Sequence, residues 1–207
     1  MPSYETRAQP DVQPAKIPAA VSARHVHLTH ASVESLFGAG HALLVRRPVG
    51  QPDQFATEET VTLVGPRGRI EHVRIVGPER QEDQVEVSQT DAIALGIDAP
   101  VRESGDIDNT PGIVLEGPKG CVTLTRGVIC ALRHLHLNPA TADVLSLNDK
   151  DRVELAMATG LRRMTFSDVL VRVSPAFRLE FHLDTDEANA SGLRTNDEVL
   201  LHARVRT

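Results

Sequence analysis

The sequence predicts a mainly β protein, α+β in class, built as small β-barrels or a sandwich with short helices capping the barrel ends. Three observations predict it: short strand-like runs, Gly-Pro turns between them, and a recurring junction where a strand passes into a helix. The runs are residues 60–64, 70–76, 84–87, 113–115 and 122–124, and a later pair, 152–158 and 164–173, continues the pattern. Hairpins at intervals of about ten residues, with few long helical periods, are the mark of barrels and sandwiches. Gly65-Pro66-Arg67-Gly68 and Gly117-Pro118-Lys119-Gly120 are near-identical. They read as hairpin turns in which proline presets φ at the first corner and glycine supplies positive φ. Residues 1–16 are predicted to be a flexible N-terminal tail, since they carry Pro2, Pro10 and Pro14 and no 3.6-residue apolar stripe.

The junctions form an internal repeat. Arg24-His25-Val26-His27-Leu28-Thr29-His30-Ala31-Ser32 returns downstream as Arg133-His134-Leu135-His136-Leu137-Asn138-Pro139-Ala140-Thr141. In each copy a strand-like alternation meets a helix start. Thr29 and Asn138 can cap the free N–H groups, and Pro139 suits the first helical position. A fainter third copy is His182-Leu183-Asp184-Thr185-Asp186. Glu86-Val87-Ser88-Gln89-Thr90-Asp91 has the same form, with a carboxylate in place of histidine.

Composition narrows the function. The 207 residues carry 22 Lys and Arg against 28 Asp and Glu, a net charge of −6. Nonspecific nucleic-acid binding needs a basic face that displaces phosphate counterions, and base stacking needs rings. Five Phe, one Tyr and no Trp leave few of those. No apolar run approaches the roughly 20 residues that span a bilayer. Cys121 and Cys130 form neither a disulfide framework nor a Cys-x-x-Cys pair. A soluble, cytoplasmic protein is expected, with neither nucleic acid nor membrane as partner.

The repeat also carries chemistry. Residues i and i+2 of a strand share a face, so His25 and His27 converge, as do His134 and His136. Neutral imidazoles joined by a carboxylate suit a zinc site with an open position, and cobalt, nickel or iron as well. His41, His72 and His202 sit in no such arrangement. His25-Val26-His27-Leu28-Thr29-His30 approaches the His-x-His-x-Asp-His signature of the metallo-β-lactamase fold, with Thr29 where that family needs Asp. A dinuclear zinc hydrolase of thioesters or phosphoesters is therefore a second reading, and a metal-stapled module without catalysis a third. His30 reads as a first-turn helix residue.

Several motifs in order resemble one family. They are Ser22-Ala23-Arg24-His25-Val26-His27-Leu28, Glu58-Glu59-Thr60-Val61-Thr62-Leu63-Val64-Gly65-Pro66, Val101-Arg102-Glu103-Ser104-Gly105-Asp106 and Arg133-His134-Leu135-His136. Arg172-Val173-Ser174-Pro175 and Glu180-Phe181-His182-Leu183-Asp184-Thr185-Asp186-Glu187-Ala188-Asn189 complete the set. From about residue 17 to the C-terminus the chain resembles the PduL-type phosphate acyltransferases, or phosphate propanoyltransferases. The resemblance implies two small β-barrel domains, one from residues 17–23 and 132–207 and the other from 24–131. It implies two zinc ions per chain, one on His25, His27 and Glu86, the other on His134, His136 and His182. It further implies Arg80 and Ser104 as catalytic residues and Arg80 and Ser22 as groups binding phosphate or CoA. The reaction implied interconverts propionyl-CoA or acetyl-CoA plus inorganic phosphate with acyl-phosphate plus CoA, as used in propanediol degradation. A homodimer is implied as well. Members of the family often carry an amphipathic N-terminal helix that directs them into a bacterial microcompartment; residues 1–16 lack that periodicity.

Cys121 and Cys130 are the only thiols, one after a hairpin turn and one in an apolar run, and both read as structural. Direct attack of phosphate on the thioester is therefore expected, without an acyl-enzyme.

Overall fold

A computed structural model describes residues 15–205. The first fourteen residues of the expected tail lie outside the described residues, and Lys16 already opens the first strand. In chain order the first half runs β1 (Lys16–Ser22), β2 (His25–His27), α1 (His30–Phe37), β3 (Val45–Pro48), β4 (Phe55–Val64), β5 (Arg69–Gly77), β6 (Gln84–Glu86) and α2 (Gln89–Leu95). Then come β7 (Val101–Arg102), β8 (Ile113–Glu116), β9 (Cys121–Leu124), β10 (Val128–Ala131), β11 (His134–Leu137) and α3 (Pro139–Leu145). The last elements are β12 (Arg152–Met157), β13 (Thr165–Val173), β14 (Glu180–Asp184), α4 (Thr185–Ser191) and β15 (Glu198–Val205).

The strands make two sheets. Six close into a barrel in the order β1-β14-β11-β13-β12-β15, with β1 pairing antiparallel to β15 to complete the ring. The other nine form an open, curled sheet in the order β7-β10-β6-β2-β5-β4-β8-β9, with β3 on β4. The fold is thus mainly β with helix-capped barrels, as expected; one barrel is closed and the other is a half-barrel. Each sheet encloses its own apolar core. Val26, Leu63, Ile75, Val85 and Leu115 are fully buried in the open sheet, and Ile17, Leu135, Val153, Leu155 and Phe181 in the barrel.

All four expected junctions are present, and each is closed by its own N-cap. The Thr29 hydroxyl accepts from Ser32 N–H at 3.2 Å, and Asn138 Oδ1 accepts from Thr141 N–H at 2.8 Å, with Pro139 in the first turn. Ser88 forms a full capping box with Asp91, and Asp184 accepts from Glu187 N–H at 2.9 Å. These short polar side chains satisfy donors that the first helical turn leaves free.

The Gly-Pro turns correct one expectation. Their glycines are not at positive φ; the positive-φ glycines lie elsewhere, at Gly96 and Gly192 among others. The turns instead press onto helix C-termini. Arg67 N–H donates to Leu95 O and Lys119 N–H to Leu36 O, both at 3.0 Å. A Cβ on Gly65 would stand 2.3 Å from Leu95 O, and one on Gly117 would stand 2.6 Å from Leu36 O. Glycine is required for that close approach, which supplies donors to carbonyls left unpaired at the ends of α2 and α1.

Candidate active site

The site is assembled twice by the same three-strand unit. β2 lies parallel to β5 and antiparallel to β6, which sets His25 opposite Glu86 and His27 opposite Gln84. β11 lies parallel to β13 and antiparallel to β14, which sets His134 opposite His182 and His136 opposite Glu180. Alternation sends Val26 and Leu135 into the two cores, so each histidine pair must face the other way. The arginine before each pair is tied to the neighbouring helix. Arg24 grips Asp91 at 2.7 and 2.8 Å, and Arg133 pairs with Glu187. The six residues form two clusters, His25–His27–Glu86 and His134–His136–His182, with ligand atoms within 4.8 Å of one another in each.

The donor chemistry fits a divalent metal. His25 Nδ1 meets Ala23 O at 2.9 Å, His27 Nδ1 meets Val76 O at 2.9 Å and His134 Nδ1 meets Leu132 O at 2.8 Å. A carbonyl only accepts, so each of these Nδ1 atoms carries the proton and each Nε2 keeps its lone pair. His25 Nε2 and His27 Nε2 then face each other at 3.2 Å, an arrangement that a cation between them relieves. Both ring nitrogens of His136 are buried without a hydrogen-bond partner. Such a group is costly unless something coordinates it. Burial pushes the His27 imidazole down to about 3 and that of His134 to about 4, and it lowers His136 as well. These rings are neutral at physiological pH, the state a metal needs. Burial opposes the charge on Glu86, but His25, His27 and the Ser104 hydroxyl outweigh it and hold the carboxyl below its usual range.

Both clusters sit at a cleft of about 670 Å³ lined from both sheets. Ser22, the last residue of β1, stands half-buried at its wall. Arg80 follows β5; its N–H donates to Leu28 O at 2.8 Å and its Nη2 to Gln54 Oε1 at 3.0 Å. Burial pushes its guanidinium below the ordinary value, Glu86 opposing and Arg172 adding to the shift. Ser104 also lines the cleft, but its hydroxyl is engaged: it donates to Glu86 Oε1 at 2.7 Å and accepts from Gln84 Nε2 at 3.0 Å. Its visible work is to hold the carboxylate.

Other histidines stay apart. His30 opens α1 and meets Glu79 Oε2 at 3.1 Å, and His41 meets Glu59 Oε1 at 2.8 Å; His72 and His202 are exposed. Cys121 is exposed and Cys130 buried, its thiol pushed up to about 11 chiefly by burial, and neither lines the cleft.

Sequence reasoning missed Arg172, Phe177, Gln51 and Gln84. Phe177 stacks on His136 at 4.1 Å, and the Arg172 guanidinium lies 5.5 Å from the Phe177 ring centre while its Nε meets Glu103 Oε1 at 3.2 Å. Gln51 crosses between the sheets, donating to Glu180 Oε2 and Arg178 O and accepting from Arg178 N–H. Arg172 belonged to a recognised motif without a role; a lone Gln51 in a loop carries no local signal at all.

The sequence model of one family, described as phosphate propanoyltransferase, matches residues 18–194. A phosphate propanoyltransferase of Thermotoga maritima is 52% identical over 181 residues, covering 87% of this chain and 86% of that protein. One from Rhodopseudomonas palustris is 47% identical over 188 residues, 91% of this chain and 83% of its own. One from Salmonella typhimurium is 48% identical over 176 residues, 85% and 83% of the two chains.

Proposed function

The chain belongs to the phosphate propanoyltransferase family, an acyltransferase family, and we propose that it interconverts a short-chain acyl-CoA plus phosphate with acyl-phosphate plus CoA at a site holding two zinc ions. Propionyl-CoA and acetyl-CoA differ by one methylene, worth about 1–3 kcal/mol in a pocket, and both are taken as substrates. The observation that carries the proposal is the pairing of two buried ligand clusters with arginines that enter one cleft from both sheets.

His25, His27 and Glu86 would hold one zinc, and His134, His136 and His182 the other. Bound there, zinc would offset the charge of the incoming phosphate and polarise the thioester carbonyl, worth several kcal/mol at the transition state. The guanidinium fork of Arg80 can take two phosphate oxygens at once, a geometry lysine does not reproduce. Gln54 accepts from its Nη2 and so limits its swing. A phosphate oxygen attacks the carbonyl carbon, the C–S bond breaks, and the CoA thiolate leaves. No thiol stands in the cleft to form an acyl-enzyme, which favours direct displacement. Holding both reactants side by side removes much of the bimolecular entropy cost. The same reading, resting on family membership, makes the protein a cytoplasmic homodimer; light scattering should return twice the chain mass.

The test is thiol release from propionyl-CoA by zinc-loaded protein, with and without inorganic phosphate. Release that requires phosphate, with acyl-phosphate recovered, is the expected result. Release of free acid without phosphate would instead make the protein a thioester hydrolase.

A further inference from the structure

The duplication of the ligand clusters extends to one more residue in each. The third ligand of the open sheet lies in Gln84-Val85-Glu86 and that of the barrel in Glu180-Phe181-His182. Val85 and Phe181 are both 0% exposed and point into their cores, so Gln84 and Glu180 share a face with the ligand two places on. They occupy equivalent register positions, opposite His27 and His136. Each touches its ligand at the same distance. Gln84 Nε2 lies 2.6 Å from Glu86 Oε1, and Glu180 Oε2 lies 2.6 Å from His182 Nε2. The polarity is reversed: an amide donor faces the carboxylate ligand, and a carboxylate acceptor faces the imidazole ligand.

We propose that Gln84 and Glu180 are equivalent positioning residues, one per cluster, each matched in hydrogen-bonding sense to the third ligand beside it. The inference rests on the metal reading above. Gln84 and Ser104 together occupy Oε1 of Glu86 and leave Oε2, which lies 3.6 Å from His25 Nε2, as the ligating oxygen. Glu180 takes the Nε2 proton of His182, so Nδ1 keeps the lone pair. Each positioning residue is itself anchored by a loop. Gln84 Oε1 accepts from Gly105 N–H at 2.8 Å, and Glu180 Oε2 accepts from Gln51 Nε2 at 2.9 Å. Loss of such an outer contact generally costs 10- to 100-fold in metal affinity.

The experiment is zinc titration against a chelating dye, with circular dichroism to establish that each variant is folded. Wild-type protein should take two zinc ions. Gln84→Glu sets carboxylate against carboxylate and should weaken one site by roughly 10- to 100-fold; Glu180→Ala should weaken the other by a similar factor. Glu180→Gln still offers an acceptor and should hold both. The double variant Gln84→Glu/Glu86→His copies the barrel's pair into the open sheet and should recover most of the affinity that Gln84→Glu loses, a rescue that a merely structural role would not give. Two wild-type sites in both Gln84→Glu and Glu180→Ala, or a double variant no better than Gln84→Glu, would overturn the inference while leaving the metal reading intact. Wild-type protein that takes no zinc would remove that reading, and this inference with it.

Discussion

His25, His27, His134 and His182 each spend one ring nitrogen on a carbonyl or carboxylate oxygen, whereas both nitrogens of buried His136 have no hydrogen-bond partner. In the metal-free protein that arrangement costs stability in acid. His27 and His134 ordinarily titrate at 6.5 but are held to about 3 and about 4, so below pH 6.5 the unfolded chain binds protons that the folded chain refuses. Stability of the metal-free protein should therefore fall as pH drops below 6.5, where the unfolded imidazoles take up protons that the folded ones do not. Thermal melts of chelator-treated protein between pH 7.5 and 5 check this; a flat Tm would contradict it. Arg80 answers to a different assay. With Arg80 holding phosphate as proposed, Arg80→Ala would remove a charged hydrogen bond worth about 1.5–3 kcal/mol, so kcat/KM for phosphate should drop roughly 10- to 150-fold while metal content stays at the wild-type level. Loss of metal along with turnover would move Arg80 from substrate to scaffold. At this scale much was legible. A His-x-His that recurs before a helix start exposes its own period, whereas the roles of Gln51 and Arg172 arise only when distant strands meet.

Elements were legible wherever local chemistry decides them. Thr29, Ser88, Asn138 and Asp184 each stand one residue before a helix and cap it, because the first turn's donors need an acceptor close in sequence. Asn138→Ala should destabilise the protein by about 1 kcal/mol, read as a lower urea midpoint with unchanged slope. The two Gly-Pro turns show where local reasoning stops. Their sequence announces a hairpin, but the demand for Gly65 and Gly117 comes from the ends of α2 and α1, which no turn rule contains. That the second sheet stays open rather than closing into a barrel was likewise invisible in the sequence.

The whole molecule places the two clusters on different sheets, His25, His27 and Glu86 on the open one and His134, His136 and His182 on the barrel. Bridging contacts hold the sheets together: Gln51 to Arg178 and Glu180, Thr90 N–H to Asp186 at 2.8 Å, and Glu103 to both Lys150 and Arg172. Each metal would be held by one sheet, and these contacts would pass its stabilisation to the other. Free zinc at a hundred times the Kd adds about 2.7 kcal/mol per site. Titrating zinc into chelated protein should raise Tm with the logarithm of free zinc and go on raising it after both sites are filled, and an unchanged Tm would count against both clusters. The placement of β1 has a further consequence during synthesis. Ala19 pairs with Phe181 and Ile17 with Val199, so the first strand of the barrel leaves the ribosome long before its neighbours exist. At about 5–20 residues per second the wait is on the order of ten seconds or more, during which residues 25–131 can already pair among themselves. The nascent chain therefore carries β1 unpaired until β14 and β15 have been made.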